Sequence, residues 1–99
     1  MPYKQISIDD AKAFIDAGGV TVADIRDGGA YQAGSIAGAV NIQQDTMDTF
    51  LADTDKTLPL IVCCYHGHSS QNAAEYFSEQ GFGDVYSVEG GYEAWRQKY

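Results

Sequence analysis

One short segment of this chain, IVCCYHGHSS at residues 61–70, concentrates the side chains that could do chemistry. It holds both cysteines of the protein, side by side at Cys63 and Cys64, and both histidines, His66 and His68. A cysteine thiolate is a strong nucleophile, and histidine and serine side chains can donate hydrogen bonds to an anion. A buried strand explains the first two residues of the segment but not the polar residues after the cysteines. The segment therefore indicates a site built around a cysteine sulfur.

The composition predicts one globular domain that covers residues 1–99. The chain has 44% apolar and 20% charged residues, a balance that can build a single core without disulfides or a metal. Its net charge of −8 disfavours nucleic acids and anionic membranes, which bind clustered Lys and Arg. No segment approaches the roughly 20 apolar residues of a membrane-spanning helix, and we expect neither a signal peptide nor a membrane partner. Adjacent cysteines form only a strained disulfide, so we expect a reducing, cytoplasmic location.

The elements that must position this segment follow from the apolar patterns along the chain. Short β-branched runs predict strands, and apolar residues at helical spacing predict helices. Ser7 is predicted to cap a first helix, which two glycines at residues 18–19 stop. Residues 26–34 are rich in glycine, and we predict a loop there. The predicted strands are residues 20–25, 39–42, 58–64 and 85–90, and the later predicted helices are residues 45–55, 70–81 and 91–99.

This order predicts an α/β domain, with a twisted parallel sheet of about five strands and helices on both faces. In such sheets, ligands bind at the carboxyl ends of the strands, beside the amino ends of the following helices. Cys64 ends the apolar strand 58–64, and the next helix begins at about Ser70. The sulfur is therefore expected where backbone N–H groups and a helix dipole favour an anion. A buried free cysteine at a strand end is the simpler alternative.

The same pattern predicts separate positions for the two cysteines. Because side chains alternate along a strand, Cys63 should point to the opposite face from Cys64 and pack beneath the sheet. Gly67 can take a positive φ angle, which a tight loop around a sulfur atom needs. Ser69 and Ser70 are predicted to cap the helix and to donate hydroxyl hydrogen bonds into the loop.

Four motifs, in this order along the chain, resemble those of the rhodanese family. CYHGHSS resembles the active-site loop of that family, and VADIRD resembles its Asp-x-Arg segment. GSIAGAVNI resembles its Gly-His-Ile-x-Gly-Ala stretch, and VYSVEGGYEAW resembles its terminal Gly-Gly-x-x-x-Trp. Together they span about residues 20–95, so the resemblance implies a single rhodanese-like domain. The chain departs from the family at Ser35, where a histidine is usual.

The resemblance implies a sulfurtransferase in which Cys64 is the catalytic residue. Cys64 would take the outer sulfur of thiosulfate as a persulfide and pass it to cyanide or to a dithiol protein such as thioredoxin. No cofactor and no metal are implied. The loop contains no Arg or Lys, so backbone N–H groups and partly protonated histidines must attract the donor, and we expect weak thiosulfate binding. The residues implied to surround the persulfide are Tyr65, His66, Gly67, His68, Ser69 and Ser70.

Other functions fit the spacing less well. Cysteine-dependent phosphatases need an arginine at the position that Ser70 occupies here, and a thioredoxin-like redox site needs Cys-x-x-Cys. Zinc needs about four convergent ligands, which two opposed cysteines with His66 and His68 do not supply. A persulfide carrier, which relays sulfur between a donor protein and an acceptor protein, uses the same residues and remains an open alternative.

Residues outside the loop have structural interpretations. Asp24 and Arg26 lie at the end of the predicted strand 20–25, at the same sheet edge as the loop. We expect them to form an ion pair that holds two loops together rather than to act in catalysis. Three aromatic residues are expected in the core, namely Phe82, Tyr92 and Trp95.

Overall fold

Strands and helices alternate along the chain, as the apolar patterns predict. The structure, a computed structural model, describes residues 3–99. Its strands are β1 (Lys4–Ile6), β2 (Thr21–Asp24), β3 (Val40–Asn41), β4 (Leu60–Cys63) and β5 (Val85–Val88). Its helices are α1 (Ile8–Ala17), α2 (Gly28–Ala33), α3 (Met47–Asp53), α4 (Ser69–Glu79) and α5 (Gly91–Lys98).

The strands form one parallel sheet in the order β1-β5-β4-β2-β3, which places β4 at its centre. Every residue of β4 is buried, and its side chains alternate between two core layers. Leu60 and Val62 pack in the layer that contains Phe77 of α4. Ile61 and Cys63 pack in the opposite layer, which contains side chains of α1 and α5. Helices therefore cover both faces of the sheet, and the predicted α/β architecture is confirmed.

The two core layers hold β4 rigidly. On one side, the rings of Phe50, Phe77 and Phe82 contact one another, with centroids 5.6 to 6.0 Å apart. On the other side, Trp95 of α5 is buried against the sheet. Burial of each large apolar side chain contributes about 1.5–3 kcal/mol. A loop that leaves the end of β4 therefore starts from a fixed position.

The start and end of α1 agree with the prediction from the sequence. The Ser7 hydroxyl accepts a hydrogen bond from the Asp10 N–H at 3.1 Å, so Ser7 is the amino-terminal cap. Gly18 ends the helix with φ of 84°, and its N–H donates to the Ile15 carbonyl. Among the described residues, no helix has the length and apolar character needed to cross a membrane.

Two elements differ from the prediction. The segment 26–34, predicted as a loop, contains the short helix α2, because the Asp27 carboxylate accepts the Ala30 N–H at 2.9 Å and caps it. The strand β1 was not predicted, since its short sequence is largely exposed and polar. It forms because its backbone pairs with β5, a partner distant in sequence. Strand ends are also shorter than predicted, and β4 ends at Cys63 rather than at residue 64.

Candidate active site

Cys63 and Cys64 occupy different environments, as strand alternation predicts. The Cys63 side chain is fully buried in the core layer beneath α5. Burial, with a smaller effect from the nearby Asp24 charge, raises the pKa of the Cys63 thiol to about 12. Cys63 therefore stays a neutral thiol near neutral pH. Cys64 is the first residue after β4, and its side chain points into the loop that joins β4 to α4.

The sulfur of Cys64 accepts two backbone hydrogen bonds from the loop and from the start of α4. The Gly67 N–H lies 3.1 Å from Cys64 Sγ, and the Ser70 N–H lies 3.2 Å from it. Two N–H donors that point at one sulfur favour negative charge there, and the dipole of the eleven-residue helix α4 acts in the same sense. Cys64 is only 3% exposed, so the sulfur lies inside the curve of the loop rather than on its outer surface.

Gly67 lets the loop close around this sulfur. Its φ angle is 90°, which confirms the predicted left-handed conformation. A Cβ atom at this position would lie 2.9 Å from the Gly90 nitrogen and 3.1 Å from the Val88 carbonyl oxygen. Both the conformation and the space therefore require glycine.

The loop is also held on its outer side by the start of α5. The Tyr92 N–H donates to the Cys64 carbonyl at 2.8 Å, and the Glu93 N–H donates to the Tyr65 carbonyl at 3.0 Å. Gly91 approaches the loop so closely that a Cβ atom there would lie 2.6 Å from the Cys64 carbonyl oxygen. The sequence prediction assigned no role to this contact. The only signal was the pair of glycines before the last helix.

The serines contribute differently from the prediction. The amino-terminal cap of α4 is His68, and it makes no side-chain capping bond. Ser69 is the first helical residue of α4, one position after the cap, so it is not the predicted cap, and it is exposed. The Ser70 hydroxyl forms a hydrogen bond of 2.7 Å with the Ser87 hydroxyl, and both residues are buried. Ser70 therefore serves the loop through its backbone N–H, because its side chain is engaged by β5.

Tyr65 and the histidines form the outer surface of the loop. Tyr65 is 45% exposed, and its hydroxyl donates to the carboxylate of Asp27 at the start of α2. This hydrogen bond lowers the pKa of Asp27 and raises the pKa of Tyr65. His66 and His68 are exposed to solvent. The outer surface of the loop thus presents an aromatic ring and two imidazoles to solvent.

Asp24 and Arg26 form the expected ion pair. Arg26 Nη2 lies 2.6 Å from Asp24 Oδ2, and both side chains are almost fully buried. Arg26 also donates to the Gly34 carbonyl at 2.6 Å, and its guanidinium lies 4.1 Å from the centre of the Tyr92 ring. The hydrogen bond to Asp24 raises the pKa of Arg26, which keeps it charged. The pair links the end of β2 to α2 and to the α5 residue that binds the Cys64 carbonyl.

A surface cavity of about 330 Å³ lies between α2, the loop and α5. Tyr65 and His66 form its loop side, and Arg96 of α5 supplies a positive charge at its rim. Arg96 is paired with Glu93 at 2.6 Å and stays half-exposed. The sequence-based prediction considered only cations within the loop, so it missed Arg96, which is far from the loop along the chain.

The Cys64 side chain can therefore act as a nucleophile, and the loop can bind an anion attached to its sulfur. Within the part of the chain that the structure describes, residues 3–99, no cluster of three His, Cys, Asp or Glu side chains could hold a metal ion.

The fold and this cysteine loop define a rhodanese-like domain. The family model of the rhodanese-like domain matches residues 7–98, and the chain belongs to this family. The family membership that the four sequence motifs implied is therefore confirmed.

Individual relatives have more specific names. A protein of Shewanella oneidensis named thiosulfate sulfurtransferase GlpE is 44% identical over 95 residues, which cover 96% of this chain and 94% of the relative. A protein of the same name from Pseudomonas paraeruginosa is 51% identical over 81 residues, 82% of this chain and 74% of the relative. The crystal structure of a rhodanese-related protein from Thermoplasma volcanium aligns with a TM-score of 0.82 at 30% identity, covering 97% of this chain and 93% of that one.

Proposed function

We propose that this protein is a thiosulfate sulfurtransferase and that Cys64 carries the sulfur during transfer. The observation that supports this proposal most directly is that the Cys64 sulfur accepts hydrogen bonds from two backbone N–H groups inside the loop. The name thiosulfate sulfurtransferase, given to relatives that align with almost the whole chain, supports the same substrate. The reaction is an enzymatic group transfer, with no cofactor among its reactants.

The first step forms a persulfide. The Cys64 thiolate attacks the outer sulfur of thiosulfate, a new S–S bond forms, and the bond between the outer sulfur and the sulfonate group breaks. Sulfite leaves with the electron pair of that bond. The enzyme retains a persulfide anion, whose charge lies largely on the terminal sulfur, and N–H donors around the loop stabilise it.

The second step returns the thiolate. Cyanide attacks the terminal sulfur, which leaves as thiocyanate while Cys64 recovers its electron pair. A thiol acceptor attacks in the same way and becomes a persulfide. With a dithiol protein such as thioredoxin, the second thiol of the acceptor then releases hydrosulfide and forms a disulfide. We place this chemistry in the cytoplasm, because a free catalytic thiol needs reducing conditions.

Charge around the site sets an expectation for the donor. Thiosulfate is a dianion, and the loop itself has no Arg or Lys. Arg96 at the rim is partly neutralised by Glu93, and the guanidinium of Arg26 is directed to Asp24 and Gly34. Thiosulfate therefore binds mainly to backbone N–H groups, and weak binding follows.

Intact-mass analysis of the purified protein mixed with thiosulfate tests the proposal. We expect a species heavier by one sulfur atom, with the added sulfur on the peptide that contains Cys64. Addition of cyanide should remove the sulfur while thiocyanate appears. A persulfide carrier would instead lose the sulfur slowly to cyanide and quickly to a protein thiol.

Two variants serve as matched controls for this experiment. Cys64→Ser should give no added sulfur and no thiocyanate, whereas Cys63→Ser should retain most of the transfer rate, since the Cys63 sulfur faces the core. If neither thiosulfate nor polysulfide adds sulfur to the wild-type protein, the proposed function is wrong.

A further inference from the structure

Residues 88–93, from the end of β5 to the first turn of α5, contact the cysteine loop along its outer side; we call this segment the β5–α5 turn. Two of its N–H groups bind two consecutive carbonyls of the loop, those of Cys64 and Tyr65. Gly90 lies against the backbone of Gly67, with no room for a side chain between them. No other element binds two consecutive peptide groups of the loop among the described residues.

These hydrogen bonds set the direction of two other N–H groups. A trans peptide group is planar, and its C=O and N–H point in opposite directions. The Cys64 carbonyl shares its peptide with the Tyr65 N–H, and the Tyr65 carbonyl shares its peptide with the His66 N–H. Because both carbonyls point outward to α5, both N–H groups point away from α5, toward the inside of the loop.

The N–H groups of Tyr65 and His66 have no hydrogen-bond acceptor among residues 3–99. The two N–H groups that already reach Cys64 Sγ are those of Gly67 and Ser70. Unpaired donors that point into a loop favour an additional anionic atom there. A terminal sulfur on Cys64 is such an atom.

We propose that the β5–α5 turn is a positioning element for sulfur transfer and that Gly91 is its determining residue. By holding the Cys64 and Tyr65 carbonyls, the turn directs the Tyr65 and His66 N–H groups at the terminal sulfur of the persulfide. This inference rests on the proposed function, since it concerns the persulfide of Cys64.

Gly91 is determining because its position allows no side chain. Its φ angle is 61°, and a Cβ atom would lie 2.6 Å from both the Cys64 carbonyl oxygen and the Tyr65 carbonyl carbon. These are backbone atoms, so the loop itself must move to accommodate an added methyl group. This movement would lengthen the hydrogen bonds that the Tyr92 and Glu93 N–H groups donate to the loop. The N–H groups of Tyr65 and His66 would then no longer point at the terminal sulfur.

The variant Gly91→Ala tests the proposal, and Gly19→Ala is its matched control. Gly19 has a similar φ of 74°, but nothing lies within 4 Å of its Cβ position. Both variants carry the strain of a positive φ angle, and only Gly91→Ala pushes on the loop. We expect both to melt at reduced temperature, but only Gly91→Ala to lose persulfide stability.

The readout is the fraction of folded protein that holds persulfide at a fixed ratio of thiosulfate to sulfite. We expect the equilibrium constant for persulfide formation, calculated from this fraction, to fall about tenfold in Gly91→Ala, as for the loss of one hydrogen bond to a charged group. In Gly19→Ala the constant should stay within about twofold of the wild-type value. Equal persulfide fractions in the two variants would overturn the proposal.

A second measurement uses the wild-type protein, so it holds even where Gly91→Ala fails to fold. In amide NMR spectra, the Tyr65 and His66 N–H protons should shift downfield when Cys64 is converted to its persulfide with thiosulfate or polysulfide. Unchanged Tyr65 and His66 signals in a persulfidated sample would contradict the positioning role while leaving the sulfurtransferase activity intact. If the wild-type protein forms no persulfide, both the proposed function and this inference are wrong.

Discussion

At the scale of single residues, two adjacent cysteines acquire different chemistry from their surroundings. Cys63 points into the core layer under α5, whereas Cys64 points into a loop and accepts two N–H groups. The side-chain period of a strand produces this difference, because neighbouring side chains face opposite sides of the sheet. One cysteine is thus a small core residue, and the other is available as a nucleophile.

The burial of Cys63 makes stability depend on pH in the alkaline range. Its pKa is raised from 9.0 to about 12 in the folded protein, so the thiol ionises in the unfolded chain before it ionises in the core. The stabilising contribution is therefore complete below the lower value and is lost as pH rises toward the higher one. At about pH 10.5 we expect a loss of roughly 2 kcal/mol.

Urea unfolding of the wild-type protein and of Cys63→Ala, each at about pH 8 and about pH 10.5, measures this loss. Tyrosines ionise in both proteins, so their effect cancels in the difference. The free energy of unfolding should fall more steeply in the wild-type protein. Parallel decreases in the two proteins would show that Cys63 does not cause the alkaline sensitivity.

At the scale of elements, the cysteine loop is the junction of three pieces of structure. β4 sets where it starts, the α4 N-terminus supplies one N–H to the sulfur, and β5 with its turn supports the far side. Ser70 and Ser87 tie α4 to β5 through buried hydroxyls. The position of the Ser70 N–H against Cys64 Sγ therefore depends on a contact with a different strand.

Removal of one of these hydroxyls should lower the free energy of unfolding by more than the value of one hydrogen bond, because the other hydroxyl is left buried without a partner. Ser87→Ala leaves the Ser70 hydroxyl buried without this partner, and we expect a loss of about 1–2 kcal/mol in the free energy of unfolding. The double variant Ser70→Ala/Ser87→Ala should cost less than the sum of the two single variants, since no hydroxyl is then left unpaired.

A cycle of urea unfolding on the wild type, both single variants and the double variant measures this coupling. The persulfide fraction of Ser87→Ala, measured alongside, reports whether the α4 N-terminus has shifted from the sulfur. Strict additivity of the three changes in free energy would show that the two hydroxyls act independently.

At the scale of the whole molecule, the net charge of −8 acts against an anionic substrate. Positive groups close to the loop are few: Arg96 is paired with Glu93, and Arg26 is buried with Asp24. Repulsion between a negative protein and a dianion extends over the Debye length, which is about 10 Å at 0.1 M salt. The long-range field therefore disfavours thiosulfate while the local N–H donors favour it.

Added salt should consequently lower the KM for thiosulfate. We expect the KM for thiosulfate to fall about twofold when potassium chloride is raised from roughly 20 to 150 mM, because screening weakens the repulsion. Cyanide is the control in steady-state kinetics, since near neutral pH it is mostly uncharged hydrogen cyanide. A KM for thiosulfate that rises with salt would mean that local cations such as Arg96 dominate, and Arg96→Gln should then abolish the rise.

The sequence by itself determined the features that depend on neighbours along the chain. Strand alternation separated Cys63 from Cys64, the left-handed conformation of Gly67 followed from its place in a tight loop, and Ser7 identified the start of α1. The order of apolar runs gave the parallel α/β architecture, and the four motifs pointed to the family. Each of these is a local property, because periodicity, φ preference and capping act within a few residues.

The tertiary structure alone decided the contacts between distant segments. β1 exists because β5, a strand distant in sequence, pairs with its backbone. The Ser70 hydroxyl turned to Ser87 instead of capping its own helix, and Gly91 came within contact of Cys64. The physical reason is that sheet pairing and close backbone approach bring together groups far apart in the chain. The type of a residue does not specify which distant residue it will contact, and that contact is set only when the fold brings the two segments together.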